Sequence, residues 1–425
     1  MSGDVLSITY LLACDSKTAV ERNREGDTAL RIAALEGNEQ ITKLLIDSSC
    51  GFTPQDQVEA LELLGVGLLS KEIAREWDVN TVLEFWHQAM KLRADHNISH
   101  SLPTNQSFPL EYFLEARNSE ELKDFGYNPS VLTAQALHIC LRWLPRTHSR
   151  LPALMGTIGE RYAQIGEFLR SLNIWLFVLN VQMENLATSL DRIEEVLNTL
   201  RCFADAFGFV LSRNVQALNF DIVAEIIRRA LNGLLTHKAM FEVRDVVIKY
   251  VLHYFSALFQ VSFSESELLS ASKLVQLFVR RNFRTSGGAT LLHLACSSVT
   301  EDISSLKEHL HFPNIQVCQA LLENGCDVNA LDKNRNTPLH TLMIKGHAET
   351  DVLVSLIENG AHLDVRNLDG CSAGDLSRCT KVRQLIRTKS ALTSLQCHAA
   401  RTILEKKVVY KGLLPKTLEE FVQMH

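Results

Sequence analysis

Proline and glycine are scarce, with 9 and 20 residues in a chain of 425. Turns and strand ends draw heavily on both, so their scarcity points to helices. The ten cysteines are scattered, and no two are spaced C-x-x-C. Zinc-finger and RING-type sites need such pairs, so none is expected. The dispersal instead reads as reduced, buried thiols in a cytoplasmic protein. Charge of one sign is also missing. Lys and Arg total 43 against 49 for Asp and Glu, a net charge of −6. Wholesale binding to nucleic acid or to an anionic membrane surface is therefore not expected. No apolar run approaches the roughly 18–20 residues of a membrane span. What remains is a composition 46% hydrophobic and 22% charged. That is enough core for roughly two to four globular domains of about 100–200 residues each.

The first residues, Met1 to Asp15, include an apolar stretch from Val5 to Cys14. A secretory signal needs a positive start, and here Asp4 precedes the stretch with no Lys or Arg. A buried helix is expected, the second of a repeat whose beginning lies outside the chain.

Catalytic patterns are absent. There is no G-x-x-x-x-G-K-[ST], H-E-x-x-H or G-x-S-x-G. Gly65-Val66-Gly67 begins like a dinucleotide loop, but Ser70 stands where the third glycine belongs and no strand precedes it. No cysteine has an evident activating partner. No catalytic residue, cofactor or metal ligand is assigned. The pairs Lys406-Lys407 and Arg280-Arg281 read as solvated helix faces.

What the chain does have is internal repetition. Asn324-Gly325-Cys326-Asp327-Val328-Asn329 returns 35 residues later as Asn359-Gly360-Ala361-His362-Leu363-Asp364. The helices before the two copies also match, through Leu321-Leu322-Glu323 and Leu356-Ile357-Glu358. Asn336-Thr337-Pro338-Leu339-His340 follows the first copy, and this pattern resembles ankyrin repeats. Thr337 can cap a helix, Pro338 suits its first turn and Leu339 faces the stack. The glycine after the second helix can take a positive φ. His293 and His340 share one repeat position, where a ring nitrogen is expected to bond the neighbouring turn. An earlier copy at Gly288–Ala295 lies 47 residues upstream, judged from Thr290 to Thr337, which implies an insertion around Ser297–Leu310. A decayed copy through Ser372 and Leu376 suits a cap. One more copy opens the chain at Gly26–Gly37, with its second helix at Glu39–Asp47.

The segment between the two ankyrin regions has helical periodicity. Leu61, Leu64, Leu68 and Leu69 share one helix face. Ile158-Gly159, Tyr162-Ala163, Gly166 and Trp175 resemble a degenerate tetratricopeptide pair, in which small residues admit close helices and aromatics fill the gap. Val178–Leu211 and Phe220–Leu258 continue at the same spacing. The expected fold is all-α, a repeat solenoid of ankyrin repeats and tetratricopeptide-like helix pairs with a C-terminal helical tail. The expected boundaries are 1–50 for the ankyrin remnant, 51–285 for the helical domain, 286–390 for the second ankyrin block and 391–425 for the tail.

The tail carries two short patterns. Leu395, Ala399 and Ile403 fall at i, i+4 and i+8 on one helix face. A large, a small and a medium side chain so arranged suit insertion of a helix into a partner's groove. The pattern resembles the elongin C-binding box of cullin receptors. Eleven residues beyond Ile403 comes Leu414-Pro415-Lys416-Thr417-Leu418-Glu419-Glu420-Phe421-Val422. This resembles the cullin box of those receptors, with Leu414, Pro415, Leu418 and Val422 as anchors. Pro415 fits a helix start, and the acidic pair favours the N-terminal half.

With the repeats, the paired boxes resemble the Fem (feminization) family of cullin-2 ubiquitin-ligase substrate receptors. EALELLG at Glu59–Gly65, ERYAQIGEF at Glu160–Phe168, IWLFVL at Ile174–Leu179 and PKTLEEFV near the end are similar to that family. The resemblance implies a non-catalytic receptor that engages elongin C with elongin B, and cullin-2, and holds a protein substrate by its C-terminal tail. It implies a cytoplasmic location, with the nucleus also open to it. Family members begin with a longer ankyrin block that binds the substrate. This chain retains only its end, as a fragment, an alternative product or a shortened protein, so no substrate-contacting residue is assigned. Self-association through the solenoid stays open. The competing expectation is an ankyrin and tetratricopeptide scaffold without a ubiquitin role. It places Leu395, Pro415 and Leu418 inside the chain, whereas the receptor reading leaves them projecting.

Overall fold

A computed structural model describes residues 19–48, 50–71, 79–99, 115–186, 193–212, 218–236, 240, 243–261, 264–298, 300, 311–344, 349–380, 382–384, 386 and 395–424. The helix expected at Val5–Cys14 and most of the expected insertion lie outside these residues. The described residues build an all-α repeat fold, whose β-pairing is an isolated bridge between Arg366 and Ser372. Two compact units divide at Cys202 and Phe203, inside the segment that the sequence reads as one helical domain.

The first unit opens with the N-terminal ankyrin copy, α1 (Ala29–Leu35) and α2 (Glu39–Asp47). Thr28 caps α1 by accepting from the Arg31 N–H, and Asn38 caps α2 by accepting from the Ile41 N–H. Then follow α3 (Pro54–Lys71), α4 (Val79–Asp95), α5 (Ser119–Phe125), α6 (Pro129–Trp143), α7 (Leu151–Gln164) and α8 (Phe168–Leu186). The next helix, α9 (Ile193–Ser212), crosses the boundary between the units.

The expectation of a single apolar face on α3 is too narrow. Val58, Ala60 to Gly67 and Leu69 are all buried, while Leu68 is half-buried. The helix is enclosed because α1, α4, α6 and α7 all pack against it. The Gly65-Val66-Gly67 run is explained by that enclosure. A Cβ on Gly65 would overlap the Trp86 ring, and one on Gly67 would overlap the backbone at Ala34 and Gly37. Trp86 Nε1 donates to the Glu62 carbonyl at 3.1 Å. The same device recurs one helix pair later. A Cβ on Gly159 would overlap the Trp175 ring, and Trp175 Nε1 donates to the Gly156 carbonyl at 3.1 Å. In both pairs the indole sits on a glycine and bonds the carbonyl three residues before it. Close approach without a side chain is glycine's use here, as the tetratricopeptide-like reading of Gly159 and Trp175 expects.

A buried polar cluster ties α3, α4 and α6 together. Glu62 accepts from Arg93 Nε at 2.8 Å, Arg93 Nη2 at 3.0 Å and Arg142 Nη1 at 3.0 Å, and also from Trp143 Nε1. Burial alone would raise the Glu62 carboxyl pKa, but Arg142 and Arg93 reverse this and hold it below its usual value. The ankyrin remnant is anchored to the same bundle. Arg31 pairs with Asp27 and Glu59 at 3.0 Å each, and His148 Nε2 lies 3.1 Å from Asp27. These contacts tie the N-terminal repeat to the helices that follow it.

The second unit contains α10 (Phe220–Asn232), a 3₁₀ turn at Leu234–Thr236, α11 (Arg244–Leu258) and α12 (Glu265–Arg280). Phe203, Phe207 and Tyr254 meet edge to face at 6.3 and 5.6 Å, and Phe255 stacks on Phe278 at 5.7 Å. The ankyrin block follows as α13 (Leu291–Ala295), α14 (Ile315–Glu323), α15 (Pro338–Ile344), α16 (Thr350–Glu358) and α17 (Ala373–Leu376). The last two helices are α18 (Leu395–Glu405) and α19 (Lys416–Met424).

Candidate functional site

Each ankyrin histidine reaches across to the next repeat. His340 Nδ1 accepts from the Thr337 N–H at 3.2 Å, and its Nε2 lies 3.2 Å from the Cys371 carbonyl. His293 Nδ1 accepts from the Thr290 N–H at 3.1 Å, and its Nε2 lies 2.8 Å from the Asn336 carbonyl. These partners assign the proton to Nε2 in both rings. Burial lowers both pKa values, with the backbone carbonyls pulling the other way. The rings are therefore neutral struts between repeats. Thr337 also caps α15, accepting from the His340 N–H at 3.3 Å, and Gly325 and Gly360 both adopt φ +87°. The decayed copy keeps a capping box between Ser372 and Asp375.

Against this block lie α18 and α19. The buried side of α18 carries Cys397 and Ala400, while Ala399 and Thr402 are exposed and Ile403 is half-buried. At 100° per residue, the line Leu395–Ala399–Ile403 runs on a different face from Cys397 and Ala400. Leu395 begins the helix, and its side chain lies outside the described residues. Lys407 ends the helix at φ +52°, with the Val408 N–H returning to the Ile403 carbonyl at 2.9 Å. Lys406 and Lys407 are solvated. The connection then exposes Val408 by 50%, Val409 by 75% and Leu413 by 74%.

Pro415 precedes α19, and its carbonyl accepts from the Leu418 N–H at 2.8 Å and the Glu419 N–H at 3.0 Å. Pro415 is exposed, Leu414 is half-buried and Leu418 is 46% exposed. Val422, one turn further along the same side of the helix, is only 4% exposed, so its side chain is not offered to a partner in this arrangement. Phe421 sets its ring edge to face with His362 at 5.5 Å, and Arg335 Nη2 donates to the Gln423 carbonyl at 2.7 Å. These contacts seat α19 on the ankyrin loops with Leu418 outward. Sequence reasoning missed the exposed Val408-Val409 and Leu413, whose signal is an apolar run where a solvated turn would be polar. It also missed the Cys397 face of α18, because a lone cysteine carries no periodic signal.

Residues 287–333 and 334–368 match the ankyrin-repeat family model. The protein is thus an all-α ankyrin-repeat protein. Protein fem-1 homolog C of mouse is 28% identical over 423 residues, covering 96% of this chain and 66% of the relative. The human homolog C gives the same figures. Protein fem-1 homolog A of rat is 26% identical over 474 residues, covering all of this chain and 71% of the relative. Along nearly its whole length, then, the chain is similar to Fem-1 homologs. It spans just under two thirds of the length of the homolog C proteins that it matches. Among the described residues, no helix is long and apolar enough to cross a membrane.

Proposed function

We propose that the chain is a non-catalytic substrate-receptor subunit of a cullin-2 ubiquitin ligase, built on a repeat interaction scaffold. Leu395, Ala399 and Ile403 would engage elongin C, carried with elongin B. Leu414, Pro415 and Leu418 would engage cullin-2, with the covered Val422 continuing their line on α19. A protein substrate, held by its C-terminal tail, would then sit near the charged conjugating enzyme, and tethering raises the local concentration of its lysines. The expected compartment is the cytoplasm, with access to the nucleus.

The observation that carries this reading is Leu418. A leucine on a short helix, 46% exposed beside exposed Pro415, sits where the cullin-box resemblance needs an anchor. The burial of Val422 favours the second reading, a repeat scaffold in which α19 packs on its own chain. Co-purification separates the two. Leu395→Ala is expected to lose elongins B and C, and Pro415→Ala with Leu418→Ala to lose cullin-2 while retaining elongins. A folded wild-type chain that captures neither partner would overturn the receptor reading.

A further inference from the structure

His362, Asp364 and Cys397 bring an imidazole, a carboxylate and a thiol together, with one donor atom from each lying within 4.8 Å of the others. Cys397 Sγ and His362 Nδ1 stand 3.1 Å apart. The residues come from two parts of the second unit: Cys397 from the buried face of α18, the other two from the loop after α16. We propose that this cluster binds a divalent metal ion, zinc(II) in the first instance.

The loop is built to point both donors one way. From His362 to Val365, half-buried and buried positions alternate, so Leu363 and Val365 enter the core while His362 and Asp364 share the other side. The His362 N–H donates to Asn329 Oδ1 at 2.8 Å, and Phe421 packs its ring against the imidazole. Backbone and ring are thus both held before any ion arrives, as a ligand histidine requires.

The preceding repeat supplies an internal comparison. There the positions of His362 and Asp364 are Asp327 and Asn329. Asn329 serves the stack, donating to the Gly360 carbonyl at 3.0 Å as well as accepting from His362. In the later copy, the place of that amide is taken by a carboxylate, the residue before Leu363 is an imidazole, and a thiol from α18 meets them. The change replaces amide chemistry with three donors suited to a metal.

Sulfur, nitrogen and oxygen donors together favour zinc over calcium or magnesium, which take oxygen. Around tetrahedral zinc, neighbouring donors stand about 3.3–3.8 Å apart, so the cluster closes on an ion with side-chain adjustments of about 1 Å. Binding releases the Cys397 thiol proton to solvent as the zinc–sulfur bond forms, with no change of oxidation state. Three protein ligands leave the fourth position to water, which can enter beside half-buried His362 and Asp364. The bound ion would clip α18 to the ankyrin block. This inference does not depend on the ligase reading.

Cobalt(II) is the probe, because a thiolate ligand gives it a sulfur-to-metal charge-transfer band. The full chain is expected to bind one equivalent with that band, and zinc to displace it. Cys397→Ser should abolish the band. His362→Gln and Asp364→Asn should each weaken binding by at least about tenfold. Cys371→Ser, at a thiol outside the cluster, should leave both readouts unchanged. If Cys397→Ser does not fold, the His362 and Asp364 variants decide, since neither removes the thiol. A folded wild type without the band, or unchanged affinity in those two variants, would overturn the proposal.

Discussion

At the scale of single residues, the strongest expectation concerns Glu62. It neutralises two guanidiniums in the first unit, and Arg93 and Arg142 have side chains only 4% and 2% exposed. Removing Glu62 strips Arg93 of its paired carboxylate and leaves Arg142 with Glu115 alone, and breaking a buried pair in this way costs about 3–5 kcal/mol. Glu62→Ala should therefore lower the urea midpoint sharply, while Arg93→Met together with Glu62→Met should recover part of the loss. His253 gives the second unit a pH response. Burial lowers its pKa from 6.5 to about 4, with the Lys249 carbonyl on Nδ1 partly opposing. Above pH 6.5 the ring is neutral whether the chain is folded or unfolded. As pH falls from 6.5 towards 4, the unfolded chain takes up a proton that the folded chain refuses. Stability should fall across that window by up to roughly 3 kcal/mol, the free energy equivalent of the shift. Melting curves of wild type and His253→Phe, taken from pH 7 to 4, check this; the variant should show the shallower slope.

At the scale of helices, the glycine and indole contacts make a prediction with opposite signs on one helix. Alanine is better than glycine in a helix by about 1 kcal/mol. At Gly156, nothing lies within 4 Å of an added Cβ, so Gly156→Ala should stabilise by a fraction of that amount. At Gly159 the Cβ meets Trp175, and Gly159→Ala should destabilise by about 1–3 kcal/mol despite its better propensity. Paired denaturation curves decide. The same elements show how much of the fold is legible in the sequence. The repeat at Gly26–Gly37 fixes its second helix at Glu39–Asp47, because capping residues and glycine mark both ends. The Gly159–Trp175 contact is readable because a known pairing combines those residue types. Gly65 and Trp86 carry the same contact unseen, since nothing local links residues on two different helices. In the tail, spacing alone separates the Leu395–Ala399–Ile403 line from the Cys397 face. That Val422 is covered while Leu418, one turn earlier on the same side, stays exposed depends on where α19 lands against Arg335 and His362, which is a tertiary fact.

At the scale of the whole molecule, the receptor account assigns surfaces to the repeats and adaptor contacts to the tail. His293 and His340 serve as struts between repeats and are not offered to a partner. The receptor account therefore places its function in what the tail recruits. A few hot-spot residues carry most of an interface's binding energy, at about 2 kcal/mol or more each, and the account casts Leu418 as one of them. The central claim is best tested by mixing the purified chain with elongin B–C and cullin-2 and measuring the mass of the eluting species by light scattering. The account predicts one complex containing all four polypeptides, from which Leu418→Ala releases cullin-2 and leaves the elongins bound. Separate elution of a folded chain from both elongins and cullin-2 would contradict it.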